Sequence, residues 1–507
     1  MVISLPIFNV GMSIGMFWIS AIWLFDLVHD IFWKRTPWAK IQEFKSNRLA
    51  QVFALIYIAF VVGMLYSEDM SYGWRDLRMK SPLFIIPFAL SFHHHLPKAY
   101  YLKLYKLFIL SVVFSVSCAL LVRYQILDIP YENVREVTVL FITRISHVRL
   151  SLMVVLAGMM AIWLAREHKQ WLYLIVVAYF GFFLVSIQSG TGIIIWLVTL
   201  TIFILASRKS SSSLNQLIKY GFILMASSTV LYIGYCVHDY YDVEKGELEN
   251  LKEQTVKGTP YVHNLDNPQL ENKHYVWLYY AEEEMVSAWN ARSKMDLDGP
   301  DGRGQNLKST LIRYMTSKGA HKDSVGVFSL TEEDVYRIES GVPTVVEGSR
   351  FPLHARVEKV ILEVEKYRFG WNPGGNSLTQ RLEYWKIAST VILDNPILGV
   401  GTGDVQLAYD RAYADKKSQL HEKYRLRAHN QYLTLMLTLG IPFALLCIGI
   451  MLFYFYKKIK SGDLLFVSFI IIAALSFITE DTLETQAGIT FIAFFFVLMD
   501  KAKLNQD

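Results

Sequence analysis

Eleven apolar runs, most of them near the ~18–20 residues a helix needs to cross a bilayer, recur along this 507-residue chain and leave one long polar stretch between them. They cover approximately residues 6–27, 49–66, 80–95, 104–122, 149–165, 171–187, 191–207, 219–236, 438–456, 463–479 and 485–500. Lipid offers the backbone no hydrogen bonds, so runs of this length are helices whose N–H and C=O groups satisfy one another. The mean hydropathy of +0.29 and a hydrophobic content of 53 % are too apolar for a water-soluble chain of this size. The expected class is an all-α polytopic membrane protein with about 11–12 transmembrane helices; several runs are short or carry Pro, which leaves the number open by one or two.

Short-loop Lys and Arg residues mark the cytoplasmic side of such a chain. Lys34, Arg35, Lys40, Lys45 and Arg48 follow the first run, Lys98, Lys103 and Lys106 precede the fourth, and Arg166 and Lys169 precede the sixth. Arg208, Lys209 and Lys219 precede the eighth, Lys457, Lys458 and Lys460 follow the ninth, and Lys501 and Lys503 follow the last. Threaded alternately, all of them fall on one side, which puts the polar stretch on the other. Eleven spans place the N-terminus outside, whereas a hairpin near Leu5-Pro6 would give twelve and place it inside. Residues 1–27 lack a basic n-region and a small-residue cleavage site, so the first run is expected to stay. The net charge of +5 is accounted for by these loops and calls for no nucleic-acid partner. Cys118, Cys236 and Cys447 lie in or beside the spans without metal spacing or an obvious pairing, and no metal or cofactor is expected.

The chain therefore divides into N-terminal transmembrane helices over 1–236, a large loop domain over 237–428, and C-terminal transmembrane helices over 429–507. The loop opens with a polar stretch that includes Glu244, Glu247, Glu249 and Glu253. A run rich in aromatic and helix-forming residues follows from Tyr275 to Trp289, then a Gly/Asp turn cluster from Asp298 to Gly304. Short helices are expected around Leu311–Tyr314 and Leu330–Val335, and a longer one over Arg356–Tyr367 from the spacing of Val357, Val360, Ile361 and Val364. This is a mostly helical folded domain.

Its last part carries the groups with chemical potential. Ser377 with Gln380 reads as a capping box that starts a helix ending near Asp394-Asn395-Pro396. Arg381 then lies in the first turns, where free N–H groups favour an anion and a guanidinium matches phosphate oxygens. A surface arginine beside a capped helix is the plainer reading. Gly399-Val400-Gly401-Thr402-Gly403-Asp404 lacks a preceding strand and nucleotide-binding spacing, so a tight turn capped by Asp404 is expected, with close approach to a neighbouring helix as a further use of the glycines. Residues 428–456 form a helix of about 43 Å at 1.5 Å per residue, broken at Gly440-Ile441-Pro442. On it His429, Tyr432 and Met436 share a face, with Arg425 one turn before His429. Alone, such a histidine is a hydrogen-bonded anchor or a base at bilayer depth. Arg144, His147 and Arg149 fall at the outer mouth of the fifth span, on the side of His429. Glu480, Asp481 and Glu484 form an outward acidic turn, solvated or paired with those arginines. His93, His94 and His95 form a cluster on the cytoplasmic side, and Ser186 to Gly192 closes an outer hairpin.

Taken together, Gln380-Arg381-Leu382-Glu383-Tyr384-Trp385, Asn395-Pro396, Gly399 to Gly403 and His429-Asn430 resemble the O-antigen ligase and polymerase superfamily. The resemblance is firmest over about residues 370–445, and extends loosely to Tyr66-Ser67-Glu68 and to the topology of the whole chain. It implies an inner-membrane enzyme, with its large loop and active site in the periplasm, that moves a glycan from undecaprenyl diphosphate to a hydroxyl. The acceptor is lipid A–core in a ligase and another lipid-linked repeat in a polymerase; protein-glycosylating transferases share the architecture. The resemblance implies His429 as base, Arg381 as diphosphate contact, and Arg425, Arg427, Arg149, Arg144 and Asn430 as further substrate contacts. Charge on the leaving diphosphate is then met by arginines without a metal, and direct displacement inverts the anomeric carbon.

One departure stands out. Where relatives carry Ser-Arg at the start of a span, this chain reads Ser189-Gly190-Thr191-Gly192, so that a cationic contact is missing there or supplied from Arg149 or Arg144. The non-enzymatic alternative is a polysaccharide transporter or receptor; against a transporter, the spans show no inverted repeat and few intramembrane charges.

Overall fold

A computed structural model describes residues 1–34, 42, 44–45, 47–91, 97–131, 134–206, 213–243, 248–249, 251–348, 352–418 and 420–502. The chain is an all-α polytopic membrane protein. Its first nine long helices are α1 (Asn9–His29), α2 (Arg48–Gly63), α3 (Met70–Lys80), α4 (Pro82–Ser91), α5 (Lys98–Arg123), α6 (His147–Glu167), α7 (Tyr173–Ser186), α8 (Gly190–Ala206) and α9 (Ser213–Tyr241). Then come β1 (Leu270–Glu271) and β2 (His274–Tyr275), followed by α10 (Glu282–Arg292), α11 (Leu307–Ser317), α12 (Ser324–Phe328), α13 (Glu332–Glu339), α14 (Pro352–Arg368), α15 (Ser377–Asp394) and α16 (Val405–Asp415). The C-terminal set is α17 (Gln431–Leu439), α18 (Ile441–Lys460), α19 (Leu464–Thr479) and α20 (Gln486–Ala502).

Each apolar run coincides with a helix among the described residues; the end of the third, and His93, His94 and His95, lie outside them. Among the described residues five helices are long and apolar enough to cross a membrane by length and composition, and α7, α8 and α19 are shorter apolar helices. Residues 2–7 form a turn, not a further span, with Met1 against Gly15 of α1.

By its contacts the chain falls into two compact units, residues 1–222 with 381–507, and residues 223–380. In the first, α6 is the central helix: 83 % of its apolar window is buried, against 11 % for α1 and α18. Van der Waals fit holds such helices together in lipid, where burial from water contributes little. A Cβ on Gly158 would lie 2.4 Å from the Trp196 ring, so only glycine lets α6 and α8 approach this closely. Phe108 and Phe495 meet at 4.6 Å between ring centroids, and Phe466, Phe469, Phe491 and Phe496 extend the aromatic packing.

The second unit is built on Trp289, Leu311, Tyr314, Met315 and Ile338, with the two-stranded hairpin β1–β2 antiparallel. The expected helices over 311–314, 330–335 and 356–367 lie in α11, α13 and α14. Thr331 and Asp334 form a reciprocal capping box on α13. The run from Tyr275 is helical only from Glu282; Tyr279 and Tyr280 bond to Lys322 and Val262 instead, a pairing across sequence that local propensity does not encode.

Candidate functional site

His429 does not lie on a helix. The expected continuous helix over 428–456 begins at Gln431 and breaks at Gly440, as its Gly-Ile-Pro sequence indicates. Asn430 is the N-cap, accepting the Tyr432 and Leu433 N–H groups at 3.0 and 3.2 Å. His429 precedes it with φ +47°, a left-handed conformation that costs a non-glycine residue about 1–2 kcal/mol. The buried Asp481 carboxylate compensates, accepting the His429 and Asn430 N–H groups at 3.0 and 3.2 Å and the Thr434 hydroxyl at 2.6 Å. Burial pushes the Asp481 carboxyl up from its ordinary range, and the Thr434 bond only partly opposes this. Because residues 425–430 are not helical, Arg425 is not one turn below His429.

Aromatic side chains of α15 and α16 hold the approach to His429. Tyr384 donates to the Tyr424 carbonyl, Tyr413 to the Leu426 carbonyl and Trp385 to the Ala428 carbonyl, at 2.8, 2.6 and 3.0 Å. Tyr409 accepts the Ala428 N–H. The Tyr384 ring also lies against the imidazole, with centroids 5.8 Å apart.

Glu480 joins the two principal candidates. Its Oε1 pairs with Arg381 Nη2 at 3.2 Å and its Oε2 faces His429 Nδ1 at 3.8 Å. Burial raises its carboxyl, yet His429, Arg381 and Arg149 together outweigh that and hold it below the ordinary value. The acidic turn is thus paired with cations; it is not a solvated loop. Arg149 donates to the Thr485 hydroxyl at 2.7 Å and the Ser146 hydroxyl at 2.8 Å. Among the described residues it makes no ion pair with a carboxylate, so its charge acts on Glu480 only from beyond contact.

A second, deeper network supports the turn. Lys80, 1 % exposed, bonds Asp76 at 2.7 Å and Glu484 at 2.8 Å, and its ammonium lies 4.8 Å from the Phe60 ring centroid. Glu484 also pairs with Arg427 at 3.2 Å. Burial and the Glu484 charge push the Asp76 carboxyl up to about 6 despite Lys80. Sequence reasoning missed both Asp76 and Lys80, although their i, i+4 spacing on a short polar helix before a span was a readable signal.

The other sequence candidates are placed differently. Arg427 lies 5.2 Å from the Tyr72 ring besides pairing with Glu484. Arg425 donates to the Leu420 carbonyl and lies over Tyr413. Arg144 is exposed, and its N–H bonds the Ile7 carbonyl. Gly190 opens α8 directly after the hairpin, and a Cβ there would meet nothing within 4 Å. The neighbouring Ser189 bonds Ser151, two residues along α6 from Arg149.

The glycine-rich segment is a double helix-end clamp. Val400 and Gly401 N–H groups cap the last carbonyls of α17, at Leu437 and Thr438, while Thr402 caps Gly63 and Phe60 at the end of α2. The Gly403 N–H goes to Ser67, so these N–H groups are not free to cradle phosphate. Asp404 does not cap the helix it begins: its carboxylate accepts the Glu68 and Asp69 N–H groups, and α16 has no side-chain cap. Nor is Ser377 a cap, since α15 starts on it and its hydroxyl accepts from Arg356. Gly440 has φ +85°, and a Cβ there would fall 1.9 Å from the Ile397 carbonyl oxygen.

The basic residues Lys458 and Lys501 pair near Asp500 and Leu90 at the opposite helix ends from Arg149, Glu480 and His429. Among the described residues no group of His, Cys, Asp and Glu is arranged to hold a metal ion. A family model described as O-antigen ligase matches residues 338–448, a stretch that includes Arg381, Arg425, Arg427, His429 and Asn430. No curated protein matches the chain.

Proposed function

We propose that this chain, a member of the O-antigen ligase superfamily, transfers a glycan from undecaprenyl diphosphate to a lipid A–core hydroxyl at the periplasmic face of the inner membrane. The family is one of ligase- and polymerase-type membrane enzymes, which supports an enzyme over a transporter or receptor. The observation that carries the reading is the placement of Arg381 and His429 on the two oxygens of Glu480.

In this reading, a carboxylate on Nδ1 leaves Nε2 of His429 as the proton acceptor. The acceptor hydroxyl gives its proton to that nitrogen while its oxygen attacks the anomeric carbon. The bond to the diphosphate oxygen breaks with its electron pair, inverting the centre. Arg381 and Arg149 meet the charge that develops on the leaving group, with no step assigned to a metal. Arg149, which makes no ion pair with a carboxylate among the described residues, stands in for the cation absent at Gly190. Arg381 exchanges Glu480 for phosphate as the donor binds. Asn430, Arg425 and Arg427 act by holding the backbone around His429. Positive residues gathered at the opposite helix ends support the periplasmic orientation.

The test is His429→Ala expressed in a strain lacking the gene, followed by a lipopolysaccharide gel. The reading expects bare core with polymerised lipid-linked glycan accumulating. Core carrying a single repeat would indicate a polymerase, and normal attachment would remove His429 from the chemistry.

A further inference from the structure

The short helix α3 has two unlike sides. Its exposed positions Met70, Trp74, Arg78, Ser71 and Arg75 follow one another, in that order, around about 140° of the helix circumference. The other side is fixed inward. Leu77 packs with Phe60 and Met64, Lys80 reaches Asp76 and Glu484, and a Cβ on Gly73 would strike the Met64 side chain. These contacts set the rotation of the helix and hold its arginines outward.

The outer side carries both parts of a headgroup site. Trp74 is 68 % exposed, and Met70 and Leu65, close after the end of α2, are exposed with it. Large apolar side chains at the end of a span, on a helix that also carries cations, mark a helix lying in the headgroup region. Arg75 and Arg78 are neighbours on that helix, near enough for both guanidinium groups to meet one phosphate. Among the described residues neither pairs with a carboxylate. The Tyr72 ring, 5.1 Å from Arg75, covers a face of the guanidinium and leaves its N–H edges to donate. The carboxylates that precede the helix are already engaged: Glu68 pairs with Arg411 at 3.3 Å, and Asp69 accepts the Tyr72 N–H at 2.8 Å.

We propose that the outer side of α3 docks the headgroup of an anionic phospholipid, with Arg75 and Arg78 on its phosphate and Trp74 and Met70 among the upper acyl carbons. A zwitterionic headgroup brings its own cation against the two arginines and is bound less well. This side faces away from Lys80 and the acidic turn, across a helix about 10 Å wide, which favours a resident lipid over either reacting substrate. The lipid holds the same helix that supplies Lys80 to Glu484, and Tyr72 touches Arg427 as well as Arg75. Transfer therefore depends on lipid charge, a consequence that rests on the site reading above.

The experiment uses the full-length protein in nanodiscs containing trace phosphatidylglycerol or phosphatidylcholine with a diazirine near the headgroup, and crosslinks are mapped by peptide mass spectrometry. Residues 70–78 should be labelled about tenfold more by the anionic lipid, and Arg75→Gln with Arg78→Gln should bring the ratio to about one. Equal labelling of the wild type, or an enrichment that the double variant keeps, would overturn the docking. Loss of the label to excess inorganic phosphate would assign the arginines to a free anion, and loss to excess acceptor glycolipid would assign them to that substrate; either overturns the phospholipid. In nanodiscs made of each lipid, wild-type transfer should be faster with phosphatidylglycerol, and the double variant should keep the phosphatidylcholine rate in both. Equal wild-type rates would overturn the coupling. Enriched labelling with no transfer in either lipid would sink the site reading and leave the docking standing.

Discussion

Asp481 fixes the backbone of His429, accepting its N–H at 3.0 Å while that residue holds φ +47°. The neighbouring carboxylate, Glu480, faces the imidazole itself. One short turn thus governs both the position and the electrostatic surroundings of the same histidine, and the two functions separate by substitution.

Asp481→Asn leaves a buried N–H facing an amide that also donates. The expected loss is about 2 kcal/mol of stability, read as a lower Tm in detergent, with transfer falling as His429 leaves its conformation. An unchanged Tm would mean that the left-handed backbone holds without the carboxylate.

Glu480→Gln has a pH-dependent cost of definite sign. The folded protein holds this carboxyl below its ordinary 4.5. Its contribution is therefore present above that value and fades as pH falls through the folded-state pKa. The Tm difference between wild type and Glu480→Gln is expected to be largest near neutrality and to vanish in acid. A difference that grows on acidification would show that burial outweighs the cations.

Lys80→Met strips Asp76 and Glu484 of their shared buried cation, a change expected to cost about 3–5 kcal/mol. Adding Asp76→Asn should restore part of it, because one of the stranded carboxylates is gone. A double-mutant cycle on Tm measures the coupling, and strict additivity would deny the network.

Two glycines give opposite outcomes on Cβ insertion. Gly440→Ala drives a methyl into the Ile397 carbonyl at positive φ and should sharply reduce folded protein. Gly190→Ala meets nothing, so a change within about 0.5 kcal/mol is expected. Size-exclusion yield and Tm distinguish them.

The membrane helices were legible because apolar run length is a local signal, and the break at Gly440-Ile441-Pro442 was legible because glycine and proline act on their own backbone. The pairing of the acidic turn was only half legible: charges at a span mouth imply partners, but spacing does not say which. Asp404 shows why. Its composition and position match an ordinary N-cap, yet its carboxylate serves Glu68 and Asp69 more than three hundred residues away. The left-handed backbone of His429 likewise has no signature in sequence, since Asp481 imposes it from another helix connection.

In the proposed reaction His429 takes the proton of the attacking hydroxyl. Its most direct test is the initial rate of glycan transfer by purified His429→Gln in nanodiscs, measured against donor concentration. The account predicts a fall in kcat of about 10²–10⁴-fold with donor KM within a factor of about three. Transfer at the wild-type kcat would contradict it.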